Sequence, residues 1–373
     1  MEAEREALLI QKLAELLSSP LISLEILPGG MEEWAIIDTI DKDKRPTSEF
    51  PFLYSDGNLG VPKKVLYKLY LAATALLKSS KSVPELSMNC TCVILLANPG
   101  QQTALNARKR LVQNGSLDPA KELKFTEVLF RGSRECAKQS ILWDHRCWLL
   151  ERVYPERLQL DELNCDQRWK TIADLEALPD LPPSTLIREL SLIREACESY
   201  PRNYRAWMHW HFMVDIVNAR LLLHPDPSEV YLDILKQEFT ALRHWIDLHI
   251  SDHSAVHHLC SLGRLFCDLE LRYLSGSYDV VPWNATNTTL VNHALSLIAS
   301  YPTHETLWIY LRESSVLLPT KDREKLIEQI AASPMAENHL AKRFMEWSST
   351  FVTARTEKGV HASYRSDARS IDT

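Results

Sequence analysis

Glycine is scarce: the 373-residue chain has ten, under half the usual share of about 7%. Few glycines mean few tight hairpin turns, which counts against an all-β fold and against Gly-rich phosphate loops. Basic residues are also in deficit, 42 against 49 acidic ones, for a net charge of −7. Non-specific nucleic-acid binding needs the opposite balance, so a nucleic-acid partner is not expected. No apolar run approaches the roughly 18 residues of a membrane span. Eight cysteines are too sparse in a chain this long for a disulfide scaffold. Cys90, Cys147, Cys197, Cys260 and Cys267 mostly sit among apolar neighbours, where a free thiol packs as a small hydrophobe. A reducing compartment follows, cytosol or nucleus, and a cytoplasmic chain is expected. The opening segment MEAEREALLIQKLAELL starts acidic and lacks the basic region of a signal peptide. It reads as an amphipathic helix. The Asn-x-Ser/Thr triplets at Asn89, Asn114, Asn284 and Asn287 are then chance occurrences.

Catalytic signatures are missing as well. No HExxH, paired CxxC, GxSxG elbow, Walker loop or dinucleotide fingerprint occurs. Cys90-Thr-Cys92 is too close and isolated for a zinc knuckle. His249, His253 and His257 are spaced i, i+4, i+8, a spacing that lines up a metal face on one helix. Ser251-Asp252 falls between them at an expected helix–helix turn, so no metal site is expected in this chain. The chain therefore carries no self-contained catalytic constellation. That fits a helper subunit and equally fits a non-enzymatic scaffold.

What the chain has in abundance is helical periodicity. Leu232, Leu235, Phe239, Leu242 and Ile246 form one helix face. Asp226 and Pro227 mark that helix's start, with Glu229 placed to complete a capping box. Leu186, Leu190, Ile193 and Cys197 form a second stripe, with Ser184 as its expected N-cap. Trp207, Trp210, Val214, Val217 and Leu221 form a third, and Trp143, Cys147, Leu150 and Tyr154 a shorter one. Leu290, Ala294, Leu297 and Tyr301 add another. No segment reads as a strand. The fold class is all-α: a right-handed α–α superhelix, or solenoid, of antiparallel helix-pair repeats.

A degenerate repeat runs through these helices. YPRNYRAWMHW, Tyr200 to Trp210, has a counterpart in YPTHETLWIYL, Tyr301 to Leu311. In both, a Pro precedes a Trp at the same distance: Pro201 and Trp207, Pro302 and Trp308. Pro99 and Leu105 keep that spacing; Trp143 lacks the Pro, and Val256 fits more weakly. Each interval between these anchors fits one helix pair plus a loop. A large flat side chain in the first turn of the second helix can wedge between neighbouring pairs.

This pattern resembles the repeat of the protein prenyltransferase alpha subunit family, P-x-N-Y-x-A-W-x-H-R. Pro201, Asn203, Tyr204, Ala206 and Trp207 match it best, followed by Trp143, His145 and Arg146. The five repeats cover about residues 95–315. The motif's Arg persists as Arg108 and Arg146 and gives way to Trp210, Leu259 and Leu311. The resemblance implies an alpha subunit that wraps a beta subunit built as an α/α barrel. That partner would hold the zinc and most of the isoprenoid pocket, leaving no cofactor in this chain. The reaction implied joins an isoprenoid diphosphate to an acceptor Cys of a protein substrate. The expected partner is a beta subunit of the Rab geranylgeranyltransferase type.

Residue by residue, the resemblance carries over as follows. Lys138, five positions before Trp143, falls where the family places a lysine near the diphosphate. Its plain alternative is a solvated surface lysine. Ser140 stands where the family has a Tyr. Arg202, Asn203 and Tyr204 match a pocket-rim or interface segment, or else Asn203 simply holds a helix turn. Trp143, Trp207, Trp308, Arg108 and Arg146 are structural repeat anchors. His145, Arg146, His209 and His211 either hydrogen-bond neighbouring loop carbonyls, knitting the repeats together, or meet a partner subunit. By domains, residues 1–60 read as a variable N-terminal helix and loop. Residues 61–352 read as the repeat domain and 353–373 as a disordered tail.

Overall fold

A computed structural model describes residues 2–37, 40–41, 44–79, 83–158, 178–223, 229–274 and 286–357. These gather into two compact units, residues 2–158 with 178–220, and residues 221–274 with 286–357. Helix dominates both. The first unit contains α1 (Glu2–Ser18), β1 (Ser23–Leu27), α2 (Met31–Ala35), β2 (Leu53–Ser55), β3 (Asn58–Pro62) and α3 (Lys63–Ser79). It continues with α4 (Pro84–Ala97), α5 (Gln102–Gln113), α6 (Pro119–Gly132), α7 (Arg134–Ala137), α8 (Ser140–Val153) and α9 (Pro183–Ser199). All but the end of α10 (Tyr204–Leu223) completes it. The second unit holds α11 (Glu229–Leu248), α12 (His253–Leu274), α13 (Thr286–Ser300) and α14 (Glu305–Ser315). After α15 (Thr320–Ala331) and a 3₁₀ turn at Pro334–Glu337, it ends with α16 (His339–Glu357).

The helical stripes fold as their spacing dictates. Leu186, Leu190, Ile193 and Cys197 are buried along α9, and Leu235, Phe239, Leu242 and Ile246 along α11. The start of α9 differs from expectation: Pro182 is its N-cap and Pro183 its first residue, so Ser184 lies inside the helix. Proline has no amide to leave unsatisfied in a first turn, which makes Pro183 a natural opening residue. Asp226 and Pro227 lie outside the described residues. Helix α16 continues through Thr353 to Glu357, and residues 358–373 lie outside the described residues.

The N-terminal segment corrects the strand-free expectation for residues 1–60. A three-stranded sheet in the order β1–β3–β2 forms there. Strand β1 runs parallel to β3, pairing Leu24 with Leu59, and β2 runs antiparallel, pairing Leu53 with Gly60. Asp56 and Gly57, at φ +51° and +82°, turn β2 into β3. Two successive left-handed residues suit a two-residue hairpin, because their twist matches that of the strands. The sheet packs through β1 on α6, where a Cβ on Gly132 would lie 2.5 Å from Leu24 Cδ2. Helix α1 packs on α3 and α4. The N-terminal segment thus shares the core of the first unit.

Candidate functional site

In the first unit, polar side chains are buried in two copies of one arrangement. Arg108 on α5 meets Glu122 on α6 through Nε at 2.8 Å and Nη2 at 2.5 Å. Its Nη1 donates to the Met88 carbonyl at 3.2 Å and to Thr91 Oγ1 at 3.0 Å on α4. Glu122 Oε1 also receives His145 Nε2 of α8 at 2.9 Å. One repeat later, Arg146 on α8 meets Glu189 on α9 at 2.7 and 2.6 Å. Its Nη1 donates to the Leu123 carbonyl at 2.9 Å and to Thr126 Oγ1 at 2.7 Å on α6. Glu189 Oε2 receives His209 Nε2 of α10 at 2.9 Å. All six charged or titratable groups are buried. Adjacent His145 and Arg146 therefore look opposite ways along the chain, one back to Glu122 and one on to Glu189. Trp210 occupies the next motif-Arg position.

Electrostatics fix the charge states. Burial pushes both carboxyls up, but the Arg charges and the hydrogen bonds from His and Arg outweigh it and hold each at about 2. Burial pushes the His145 and His209 pKa values down against the pull of those carboxylates. Each His is then neutral, with the proton on Nε2 donated to an ionised carboxylate. His209 Nδ1 is left as an acceptor, and Cys147 Sγ lies 3.3 Å from it. His145 Nδ1 has no hydrogen-bond partner among the described residues. Cys147, His209 and Glu189 have the connectivity of a nucleophile, base and orienting acid. Burial raises the Cys147 thiol to about 12, so it stays protonated and packs as a donor.

The repeat tryptophans Trp143, Trp207 and Trp308 are buried, and backbone carbonyls anchor the first and the last. Trp143 Nε1 donates to the Ala137 carbonyl at 2.7 Å, and Trp308 Nε1 to the Pro302 carbonyl at 2.8 Å. Asn203, also buried, adds its Nδ2 to the Ala137 carbonyl at 2.9 Å and caps the Ala206 amide through Oδ1 at 3.2 Å. This bond joins the turn before α8 to the turn before α10. Around it lies a partly exposed rim. Lys138 Nζ pairs with Glu135 at 2.6 Å and stands 5.8 Å from the Tyr200 ring centre, and Arg134 lies 5.2 Å from the same ring. Arg202 is exposed with φ +61°. Tyr204 is 63% exposed, with the Arg205 guanidinium 5.6 Å from its ring centre. The structure thus brings Lys138, Arg202 and Tyr204 to neighbouring turns and puts Asn203 beneath them as a structural residue. His211 packs edge-on against Trp210 at 5.6 Å and takes no place in either Arg–Glu–His set.

In the second unit, His249 Nδ1 lies 3.0 Å from the Trp245 carbonyl at the end of α11. Asp252 then caps α12 through the amides of Ser254 and Ala255 at 3.0 and 3.1 Å. This turn takes His249 off the helix that carries His253 and His257. His253 Nε2 contacts Thr306 Oγ1 at 3.1 Å.

The segment that carries Glu189, Asn203, Trp207 and His209 is also where a family model matches: the protein prenyltransferase alpha subunit repeat, over residues 186–216. The chain is 26% identical over 272 residues to protein prenyltransferase alpha subunit repeat-containing protein 1-B of Xenopus laevis, covering 65% of this chain and 56% of that protein. The human repeat-containing protein 1 is 27% identical over 250 residues, covering 60% of this chain and 57% of its own length. In this repeat and in these alignments the chain is similar to protein prenyltransferase alpha subunit repeat proteins. Geranylgeranyl transferase type-2 subunit alpha of Bos taurus is 30% identical over 241 residues, covering 57% of this chain and 40% of that subunit. The chain spans little more than half the length of the curated repeat-containing relatives it matches. Within the matched repeat, polar positions of two kinds separate by burial. Glu189, Asn203 and His209 are internal, whereas Arg202 and Tyr204 face solvent. Sequence reasoning found the arginines and histidines but missed Glu122 and Glu189. Among the described residues, no helix is long and apolar enough to cross a membrane.

Proposed function

We propose that the chain serves as the alpha-type subunit of a heterodimeric protein prenyltransferase, with geranylgeranyl transfer to a Cys of a protein substrate as the reaction. The observation that carries this reading is the rim on two neighbouring turns, a half-buried Lys138 beside exposed Arg202 and Tyr204, the latter two within the matched prenyltransferase alpha subunit repeat. A beta subunit of the Rab geranylgeranyltransferase type would supply the zinc and the isoprenoid pocket. Lys138 would turn from Glu135 to the leaving diphosphate and neutralise its developing charge. Arg202 and Tyr204 would meet substrate or partner beside it, on a turn held in place by Asn203. The complex would act in the cytoplasm, and this chain would be inactive alone.

The test is co-expression with a Rab-type beta subunit, then comparison of wild type with Lys138→Ala. We expect a stable heterodimer in both cases and a transfer rate lower by about 10- to 1000-fold in the variant. A normal rate in an active complex removes Lys138 from the site. The 2.6 Å pairing of Lys138 with Glu135 favours a second reading, a non-enzymatic helical-repeat scaffold for protein–protein interaction. Failure to bind any such beta subunit supports that one.

A further inference from the structure

Helix α3, KKVLYKLYLAATALLKS, carries four lysines and no carboxylate, in a chain whose net charge is −7. At 100° per residue, Lys63, Lys64, Tyr67, Lys68, Leu71, Ala75 and Lys78 fall within a sector of about 140°. Leu66, Leu69 and Ala73 lie on the opposite side and are buried. The seven residues of the lysine-bearing sector are exposed and Thr74, which also falls in it, is half-buried; its two large apolar side chains, Tyr67 and Leu71, are 61% and 51% exposed. Only at its N-terminal end does a carboxylate answer: Lys64 pairs with Glu33 of α2 at 2.7 Å. Lys63, Lys68 and Lys78 make no ion pair among the described residues.

We propose that this face of α3 docks on an anionic lipid bilayer. A tyrosine and a leucine flanked by lysines match the chemistry of a membrane interface. The ring sits at headgroup level, the leucine enters the acyl boundary, and the lysine stems reach back to the anionic headgroups. A net negative protein is repelled by such a surface as a whole, so attraction must come from a local face of this kind. The site is separate from the Lys138 rim and stands whether or not lipid transfer is the activity.

The experiment is co-sedimentation of the full chain with vesicles of phosphatidylcholine containing about 30 mol% phosphatidylserine. We expect binding to these and none to phosphatidylcholine alone, with release as salt rises from about 0.1 to about 1 M. The triple variant Lys63→Gln, Lys68→Gln, Lys78→Gln should partition about 100-fold less, near fivefold per lysine. Tyr67→Ser with Leu71→Ser should weaken binding at about 0.1 M salt. A control triple, Arg110→Gln, Lys121→Gln, Lys124→Gln, should bind as wild type. The proposal is overturned if anionic vesicles do not bind, if neutral ones bind equally, or if both lysine triples behave alike. Binding of oligoglutamate with vesicles left free overturns it too, in favour of an acidic protein segment.

Discussion

Arg146 reaches Glu189 across successive helices with two hydrogen bonds, 2.7 Å from Nε and 2.6 Å from Nη2, and both side chains are buried. A planar fork against a planar carboxylate is the strongest neutral-pH pairing that side chains offer. Its net contribution to stability is nonetheless small, because both charges were taken out of water. Loss of one partner is the costly event. Glu189→Leu leaves a buried guanidinium with its Leu123 and Thr126 contacts but no counter-charge, and should cost about 3–5 kcal/mol in a urea melt. Arg146→Met together with Glu189→Leu should recover most of that loss. A double variant as unstable as the single one would mean that the pair stabilises by more than charge balance.

Acid should weaken the same sets in two stages, with one sign. Glu122 and Glu189 have folded pKa values of about 2, below the usual 4.5. His145 and His209 also lie below their usual 6.5. In every case the unfolded chain takes up the proton at higher pH than the folded one. Stability is therefore full above pH 6.5, falls as the histidines protonate in the unfolded state, and falls again between pH 4.5 and 2 as the carboxyls do. Each histidine contributes a slope of up to about 1.4 kcal/mol per pH unit. His145→Gln with His209→Gln keeps a donor for each carboxylate and should flatten the first stage only. Urea midpoints that rise toward pH 5 would contradict this assignment.

The helices were legible because burial imposes a 3.6-residue period whatever the exact side chain. Arg108, Arg146 and the tryptophans were legible because they sit in the repeated segment itself. Glu122 and Glu189 belong to the first helices of the following pairs, outside the Trp-centred motif. Their signal was a carboxylate inside an apolar stripe, Glu189 between Leu186 and Ile193, and Glu122 below Phe125 and Leu129. A charge in such a place requires a buried counter-charge. The sheet was missed because its strands are short and few glycines were counted as few hairpins. Asp56-Gly57 between LYS and NLGVP is the dipeptide that a two-residue hairpin demands. Lys138 and Asn203 show the limit: spacing alone gives both a place beside Trp143 and Trp207, and only burial separates a surface cation from a turn anchor.

Trp143 and Trp308 offer the sharpest test of the repeat as a packing unit. Each donates its indole N–H to a carbonyl six residues earlier, Ala137 or Pro302, at 2.7 and 2.8 Å. The two lie in different compact units yet make the same local closure, which points to the repeat and not to shared surroundings. Trp143 also stacks on Phe130 with ring centres 4.1 Å apart, whereas Trp308 sits at 6.3 Å and an angle from Phe344. Trp→Ala at either position should cost about 3–5 kcal/mol through lost burial and the remaining cavity, with Trp143 the larger because close stacking adds to area. Trp→Phe keeps most of the area and removes one of two donors to each carbonyl, since Asn203 Nδ2 still reaches Ala137 and Asn338 Nδ2 still reaches Pro302, at a cost of about 0.5–1.5 kcal/mol. Trp207→Ala, at a buried repeat position in α10, should fall in the same range as the other two alanine variants. Near-zero shifts for all three alanine variants in denaturant melts would mean that these residues do not anchor the repeats.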